Sequence, residues 1–154
     1  MSAHKPAVEA RSVEVISRTG YPEPYASRVM PRHKRRLGDA FGLTRIGINL
    51  TRLTPGKESS MRHWHTHEDE FVYVLEGEVV LRTGAGEQAL RAGMCAGFPA
   101  GIEDGHHFIN RSERDAVYLE ISNRDRADSA YYSDADVDLM YSDGKMRRRD
   151  GTPV

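Results

Sequence analysis

Between Thr44 and Ile121 the chain alternates short apolar runs with turn-forming residues. Thr44 to Leu53, Phe71 to Leu75, Val79 to Thr83, Gln88 to Leu90 and Ala116 to Ile121 are rich in β-branched and aromatic side chains, which suit a pleated surface. Thr54-Pro-Gly56, Glu76-Gly77, Gly84-Ala-Gly86, Arg91-Ala-Gly93 and Pro99-Ala-Gly101 separate them, at roughly the 8–12-residue spacing of turns in a β-sandwich or barrel. The pattern predicts an all-β core. Within Ile46-Gly-Ile-Asn-Leu50 the apolar residues alternate, whereas Phe71-Val-Tyr-Val-Leu75 is apolar at every position. The second run is therefore expected to be a central strand covered on both faces.

The flanks read differently. From Ala7 to Leu37 the chain carries Pro22, Pro24, Pro31 and the basic run Arg32-His-Lys-Arg-Arg36 without a sustained helical period, which predicts an irregular arm with short extended pieces. A basic run this short reads as a solvated segment. After Ser122 the chain turns acidic and polar through Asp125, Asp128, Asp134, Asp136, Asp138 and Asp143. Tyr131, Tyr132, Leu139, Met140 and Tyr141 are too few to form a separate core. The expected organisation is an N-terminal arm over residues 1–40, the β core over 41–124, and a C-terminal extension over 125–154 packed on that core or on a partner subunit.

Charge narrows the partners. The 154 residues hold 22 Lys plus Arg against 23 Asp plus Glu, a balance that argues against a nucleic-acid partner or an anionic membrane and leaves a small molecule. The first residues lack the apolar stretch of a signal peptide and no later segment is long and apolar enough to span a bilayer, so the expected location is cytoplasmic. Cys95 is the only cysteine. An internal disulfide and a thiolate metal cluster are thereby excluded, and any metal must use His and carboxylate ligands. With no basic neighbour in its own segment, Cys95 reads as a small buried residue rather than a nucleophile.

Candidate chemistry concentrates in Arg62-His-Trp-His-Thr-His-Glu-Asp-Glu70. On a strand, alternate side chains share a face, so His63 and His65 point together while Trp64 points away. A turn through Thr66 to Asp69 would bring Glu70, at the start of the next strand, to the same place. A fourth donor is available from His106 or His107, of which only one can face inward if both lie on a strand. His67 continues the alternation and reads as an alternative ligand, a group orienting a ligand or substrate, or an exposed turn residue. Tyr73, Tyr118 and Arg52 are the strand residues most able to line a pocket.

The two segments resemble the paired motifs of the cupin superfamily. Gly56, His63, His65, Glu70 and Gly77 follow the first motif, with six residues rather than five between Gly56 and His63. Gly93, Pro99, Gly101, His106 and Asn110 follow the second, with four residues rather than two between Gly101 and His106. The three residues between His106 and Asn110 select His106 over His107. Met94 departs from the pattern where many cupins have Asp, which bears on a turn contact. The resemblance spans about Leu50 to Ile121 and implies a double-stranded β-helix (jelly-roll) barrel, flanked here by irregular extensions. It implies a metal held by His63, His65, Glu70 and His106. Tyr21-Pro-Glu-Pro, Leu37-Gly-Asp and the closing Arg-Asp-Gly-Thr-Pro resemble a small single-domain bacterial subgroup, some members of which are labelled sugar-phosphate isomerases. Cupins commonly pair, so a homodimer is expected.

Three imidazoles and one carboxylate suit one divalent transition ion, Mn, Fe, Co, Ni, Cu or Zn, with open positions for water or substrate. The expected function is Lewis-acid action on a small oxygen-rich metabolite, with Glu70 as ligand and proton acceptor and His67 or Tyr73 as auxiliary acid or base. Isomerisation of a sugar phosphate would need Arg52, Lys57 or Arg62 to grip the phosphate; oxidative cleavage by dioxygen would need iron. A non-catalytic sensor or binding module is the alternative from another class.

Overall fold

Gly77 sits between two strands at a φ of 74°, and a Cβ there would lie 2.6 Å from the Asp115 carbonyl oxygen. Only glycine fits both the left-handed backbone and the close approach, and the tight reversal it allows aligns the strands on either side. The computed structural model describes residues 6–154; the first five positions of the expected arm lie outside the described residues. In chain order the strands are β1 (Val15–Ile16), β2 (His33–Arg36), β3 (Ile46–Leu53), β4 (His63–His65), β5 (Glu70–Glu76), β6 (Glu78–Thr83) and β7 (Gly86–Arg91). They continue as β8 (Cys95–Phe98), β9 (His107–Ile109), β10 (Ala116–Asn123), β11 (Ser129–Tyr132), β12 (Met140–Ser142) and β13 (Lys145–Arg147). Two short helices, α1 (Tyr25–Val29) and α2 (Leu37–Ala40), lie in the arm.

The strands form two facing layers of a double-stranded β-helix, the all-β jelly roll. One layer is a six-stranded antiparallel sheet in the order β1-β2-β3-β10-β5-β8. The other combines β7-β6-β9 with β13-β12-β11-β4. A bridge between His63 and His106, with backbone N–H to carbonyl distances of 3.3 and 2.9 Å, stitches these two sets together. Both extensions run largely without regular structure, yet each supplies strands. From the arm, β2 pairs with β3; from the C-terminal extension, β11 pairs with β4.

Between the layers, Leu53, Val72, Val74, Val79, Leu81, Leu90, Phe108, Ala116 and Tyr118 form the apolar core at one end of the barrel. A second cluster of Val29, Met61, Tyr132, Val137 and Leu139 joins the arm to the C-terminal extension. The fully apolar run at 71–75 is not covered on both sides. Val72 and Val74 are buried, while Phe71, Tyr73 and Leu75 are 40, 39 and 41% exposed. Strand β5 has only β8 beyond it, and no element of the described chain packs over its outer face. Met94 closes its turn through the backbone, donating to the Arg91 carbonyl and accepting from Val74 N–H, both at 2.9 Å, and its Sδ accepts from Arg91 N–H at 3.4 Å.

Asn110 fastens the far end of the barrel. It is completely buried, and its Nδ2 donates to the carbonyls of Leu53 and Arg114 at 2.8 and 2.7 Å. Its Oδ1 accepts from the Ser112 N–H and hydroxyl at 3.0 and 2.7 Å. Every polar atom of this amide is used, so its role is to hold the β9–β10 loop against the end of β3. Asn110→Asp removes both donors and sets a carboxylate against two carbonyls, an arrangement that costs about 3 kcal/mol. We expect the thermal midpoint to fall by about 6–12 °C, with metal content per folded chain unchanged; a midpoint within 2 °C of wild type (about the measurement error) would contradict the structural role.

Candidate metal centre

The polar residues at the opposite end of the barrel are brought together by three separate pieces of chain. Strand β4 carries His63 and His65 on one face, β5 begins with Glu70, and the loop before β9 carries His106. The two extra residues between Gly101 and His106 lengthen this loop, and Gly105 within it lets the backbone lie against β4. A Cβ at Gly105 would sit 2.1 Å from Ser133 Oγ and 3.2 Å from His63 N. This approach makes the His63–His106 bridge possible and turns His106, not His107, into the barrel. His107 is buried on the other side, with Nδ1–H donating to the Ser60 carbonyl at 2.9 Å.

Four donor groups converge. His63 Nε2 lies 3.1 Å from His65 Nε2, His65 Nε2 lies 3.5 Å from Glu70 Oε1, and His106 Nε2 lies 2.7 Å from Glu70 Oε2. Ligand atoms of His63, Glu70 and His106 all lie within 4.8 Å of one another. Donors bound at about 2.1 Å and at right angles would be about 3 Å apart, so the spacing suits one ion. Buried Glu70 Oε2 also lacks a hydrogen bond of acceptable geometry despite its imidazole neighbour, as expected of an oxygen reserved for a cation.

The imidazoles are oriented from behind. His63 Nδ1–H donates to the Met61 carbonyl at 2.8 Å, leaving the Nε2 lone pair toward the cluster. The His106 ring is stacked on Phe98, with centroids 3.5 Å apart. His65 Nδ1–H donates to Asp128 Oδ2 at 2.6 Å. Asp128 is buried, and its Oδ1 accepts the backbone N–H groups of His67 and Glu68 at 2.9 and 3.2 Å. The sequence hides this residue among the acidic positions of the extension, and only the pairing of β11 with β4 brings it behind His65. His65, Glu68 and Asp128 lie close enough to share an ion themselves, but the proton between His65 and Asp128 accounts for their proximity.

The donor set carries the charges a cation needs at neutral pH. Burial pushes the His63 imidazole down to about 4, assisted by His65 and His106 against the pull of Glu70. Burial would raise the Glu70 carboxyl, but the 2.7 Å approach of His106 Nε2 and the charge that the three imidazoles carry when protonated outweigh it and bring the group to about 2. A neutral imidazole and an ionised carboxylate are the forms that bind metal.

Two cavities meet at this cluster. One of about 270 Å³ lies toward the arm and is lined by Tyr21, Arg32, Lys34, Asn49 and Glu120. Another of about 400 Å³ lies toward β8, with Trp64, Leu81, Gln88 and Cys95 in its wall. His65, Glu70, Phe98 and His106 belong to both. Two residues expected to assist are not among them. Tyr73 alternates with Val72 and Val74 to the outer face of β5. His67 is exposed in the turn, with Nδ1 2.8 Å from Thr66 Oγ1. Tyr118 is packed in the apolar core. Arg52 pairs with Asp115, Lys57 with the Ser27 carbonyl and Arg62 with Asp134, so none lines either cavity. Cys95, expected to be buried, is exposed in the second cavity.

The Asp128 contact gives a test of its own. Asp128→Asn keeps the size of the group but cannot accept from both His65 and the two backbone N–H groups. Affinity for a divalent ion, measured by chelator competition, should fall by about 10–100-fold with little change in fold; unchanged affinity would remove Asp128 from the centre.

A family model described as Cupin domain matches residues 49–122. No curated protein matches the chain. Among solved structures, a sugar phosphate isomerase of the cupin superfamily from Silicibacter pomeroyi is 40% identical, with a TM-score of 0.88 over 97% of this chain and 96% of that one. A candidate sugar phosphate isomerase from Acidithiobacillus ferrooxidans is 34% identical, with a TM-score of 0.69 over 75% of this chain and 74% of its own. The polyketide cyclase RemF from Streptomyces resistomycificus, at 18% identity and a TM-score of 0.62 over 78% of this chain and 80% of its own, shares the fold alone. Sequence identity over almost the whole length of both chains, with the motif residues gathered in one barrel, places this protein in the cupin superfamily.

Proposed function

We propose that the chain is an enzyme that holds one divalent transition ion with His63, His65, Glu70 and His106 and acts on a small oxygen-rich metabolite. The observation that carries this reading is the convergence of three Nε2 atoms and one carboxylate on the arm-side cavity, with His65, Glu70 and His106 also facing the second one. A bound ion would supply Lewis-acid polarisation of a substrate oxygen. Glu70, with Oε1 3.5 Å from His65 Nε2 and Oε2 2.7 Å from His106 Nε2, is the carboxylate that would complete the ligand set.

Proton donation falls to Tyr21, in the arm-side cavity. Its oxygen accepts from the Met61 N–H and from the Tyr132 hydroxyl, each at 3.3 Å, which leaves its own hydrogen free for a substrate oxygen. Burial raises its pKa, keeping it protonated. The two relatives at 34 and 40% identity are described as sugar phosphate isomerases, so isomerisation of a phosphorylated sugar is the reaction to test first. We also propose a homodimer in which Phe71, Tyr73 and Leu75 of β5 are covered by a second copy.

Protein purified without added metal should contain about one transition ion per chain by elemental analysis, given the four converging donors. His63→Ala and His106→Ala should each lose most of it, and His107→Ala should keep it; equal metal in all four would refute the assignment. In the metal-loaded protein, Tyr21→Phe should lower turnover by about 10²-fold at unchanged metal content. Light scattering should give twice the chain mass, and Tyr73→Glu the single-chain mass; a monomeric wild type would end the dimer proposal.

A further inference from the structure

The basic run Arg32-His-Lys-Arg-Arg36 looks like a solvated segment in sequence, but its pairing divides it. Lys34 faces Thr51 of β3 across the ladder, and Thr51 faces Tyr118 of β10. Directly opposed residues share a face, so Lys34 lies on the inner side with Thr51 and Tyr118, both buried. Two-residue alternation sends Arg32 and Arg36 the same way and leaves His33 and Arg35 outside. The cavity linings agree: Arg32 and Lys34 border the cavity of the metal centre, and His33 and Arg35 border a separate outer groove with Arg52.

Beyond that cavity a wider vestibule is lined by Arg18, Arg32, Lys34, Arg36 and Arg124, together with Asn49, Ser122, His65 and Glu68. Most of these cations have partners. Lys34 is held 2.6 Å from Glu120, and Arg36 and Arg124 both pair with Asp39. Among the described residues Arg32 has no ion pair or side-chain hydrogen bond and Arg18 has no ion pair. Set against Glu68, Glu70, Glu120 and Asp39, the five cations leave one positive charge unbalanced at the entrance to the centre.

We infer that this vestibule is an anion subsite, with Arg32 as its main contact, that holds a dianionic phosphate group of the substrate while the rest of the molecule reaches the His63–His106 end of the cavity. The proposal rests on the enzymatic reading above only in treating the anion as part of the substrate. A planar guanidinium without a protein partner matches the bidentate geometry of a phosphate oxygen pair, and Arg18 at the rim adds long-range attraction. The subsite also explains why β2 of the arm is built into the main sheet. Pairing with β3 holds Arg32 and Lys34 at a fixed height above the ligands, which a free arm would not.

Inorganic phosphate is the probe, titrated calorimetrically into the full chain. Wild type should bind it saturably, Arg32→Gln should weaken binding by at least about tenfold, and Arg18→Gln by about threefold. Arg52→Gln, on the outer groove, should bind as wild type. His106→Ala separates this proposal from the metal assignment: retained phosphate binding supports the subsite whatever the metal content of that variant. No saturable binding to wild type, equal affinity in Arg32→Gln, or equal loss in Arg52→Gln would each overturn it. Binding lost in His106→Ala but kept in Arg32→Gln would do so too, by placing the anion on the metal. Arg18→Gln gives a second reading should Arg32→Gln fail to fold, and unchanged affinity in that variant then counts against the subsite.

Discussion

A carboxylate and three imidazoles enclosed in one end of a small barrel must be kept in fixed protonation states away from bulk water, and much of the structure answers to that requirement. Isolated buried charges are expensive, and here the cost is offset by mutual arrangement. The close approach of His106 favours the ionised form of Glu70, and burial keeps His63 neutral. The backbone of Met61 and the carboxylate of Asp128 each take the Nδ1 proton of one histidine. The resulting set is poised for a cation, and without one it leaves a buried carboxylate oxygen unsatisfied.

This constraint divides the barrel along its length. On the six-stranded sheet the inward residues pass from Leu53, Val74, Ala116 and Tyr118 at one end to Asn49, Glu70, Glu120 and Lys34 at the other. The apolar end supplies the burial that stabilises the fold, and Asn110 secures its loops. The polar end sacrifices burial for chemistry, and the extensions compensate by packing over it. Val29 from the arm and Met61 from the segment before β4 meet Val137 and Leu139 from the C-terminal side in a second cluster. The extensions are therefore part of the site's support: one provides Tyr21 and Arg32, the other Asp128.

Local pattern carried the strands and the donor residues, because both depend on spacings of a few residues. The runs at 44–53, 71–75, 79–83, 88–90 and 116–121 all lie within or overlap observed strands, and His63, His65, Glu70 and His106 lie together. What local pattern could not reach was the choice of face. Ile46, Ile48 and Leu50 alternate as an inward apolar face should, yet they lie opposite Asn49, which borders the cavity. Polar residues face inward where a barrel encloses a site, so hydrophobicity points the wrong way there. A continuous apolar run likewise suggests burial on both sides, yet Tyr73 is 39% exposed and the outer side of β5 is open among the described residues. Asp128 and Arg32 were legible only once β11 was paired with β4 and β2 with β3. Those pairings join residues separated along the chain, as Lys34 is from Thr51 and Ala130 from His65.

The same separation explains how one barrel serves different reactions. The candidate ligand end is set by two short motifs carried on two layers of sheet, and that layered fold is shared by proteins as different in sequence as the polyketide cyclase at 18% identity. The arm and the loop before β9 add to the cavity walls, through Tyr21, Arg32 and Lys34 on one side and Ile102 and Asp104 on the other. A substitution among the barrel strands disturbs packing and is felt by the whole fold. One in the arm can exchange the charge above the centre while leaving the donors 2.7 to 3.5 Å from one another. Selectivity can thus change without loss of the metal site, because the group that would polarise the substrate and the groups that would recognise it are carried by different parts of the chain.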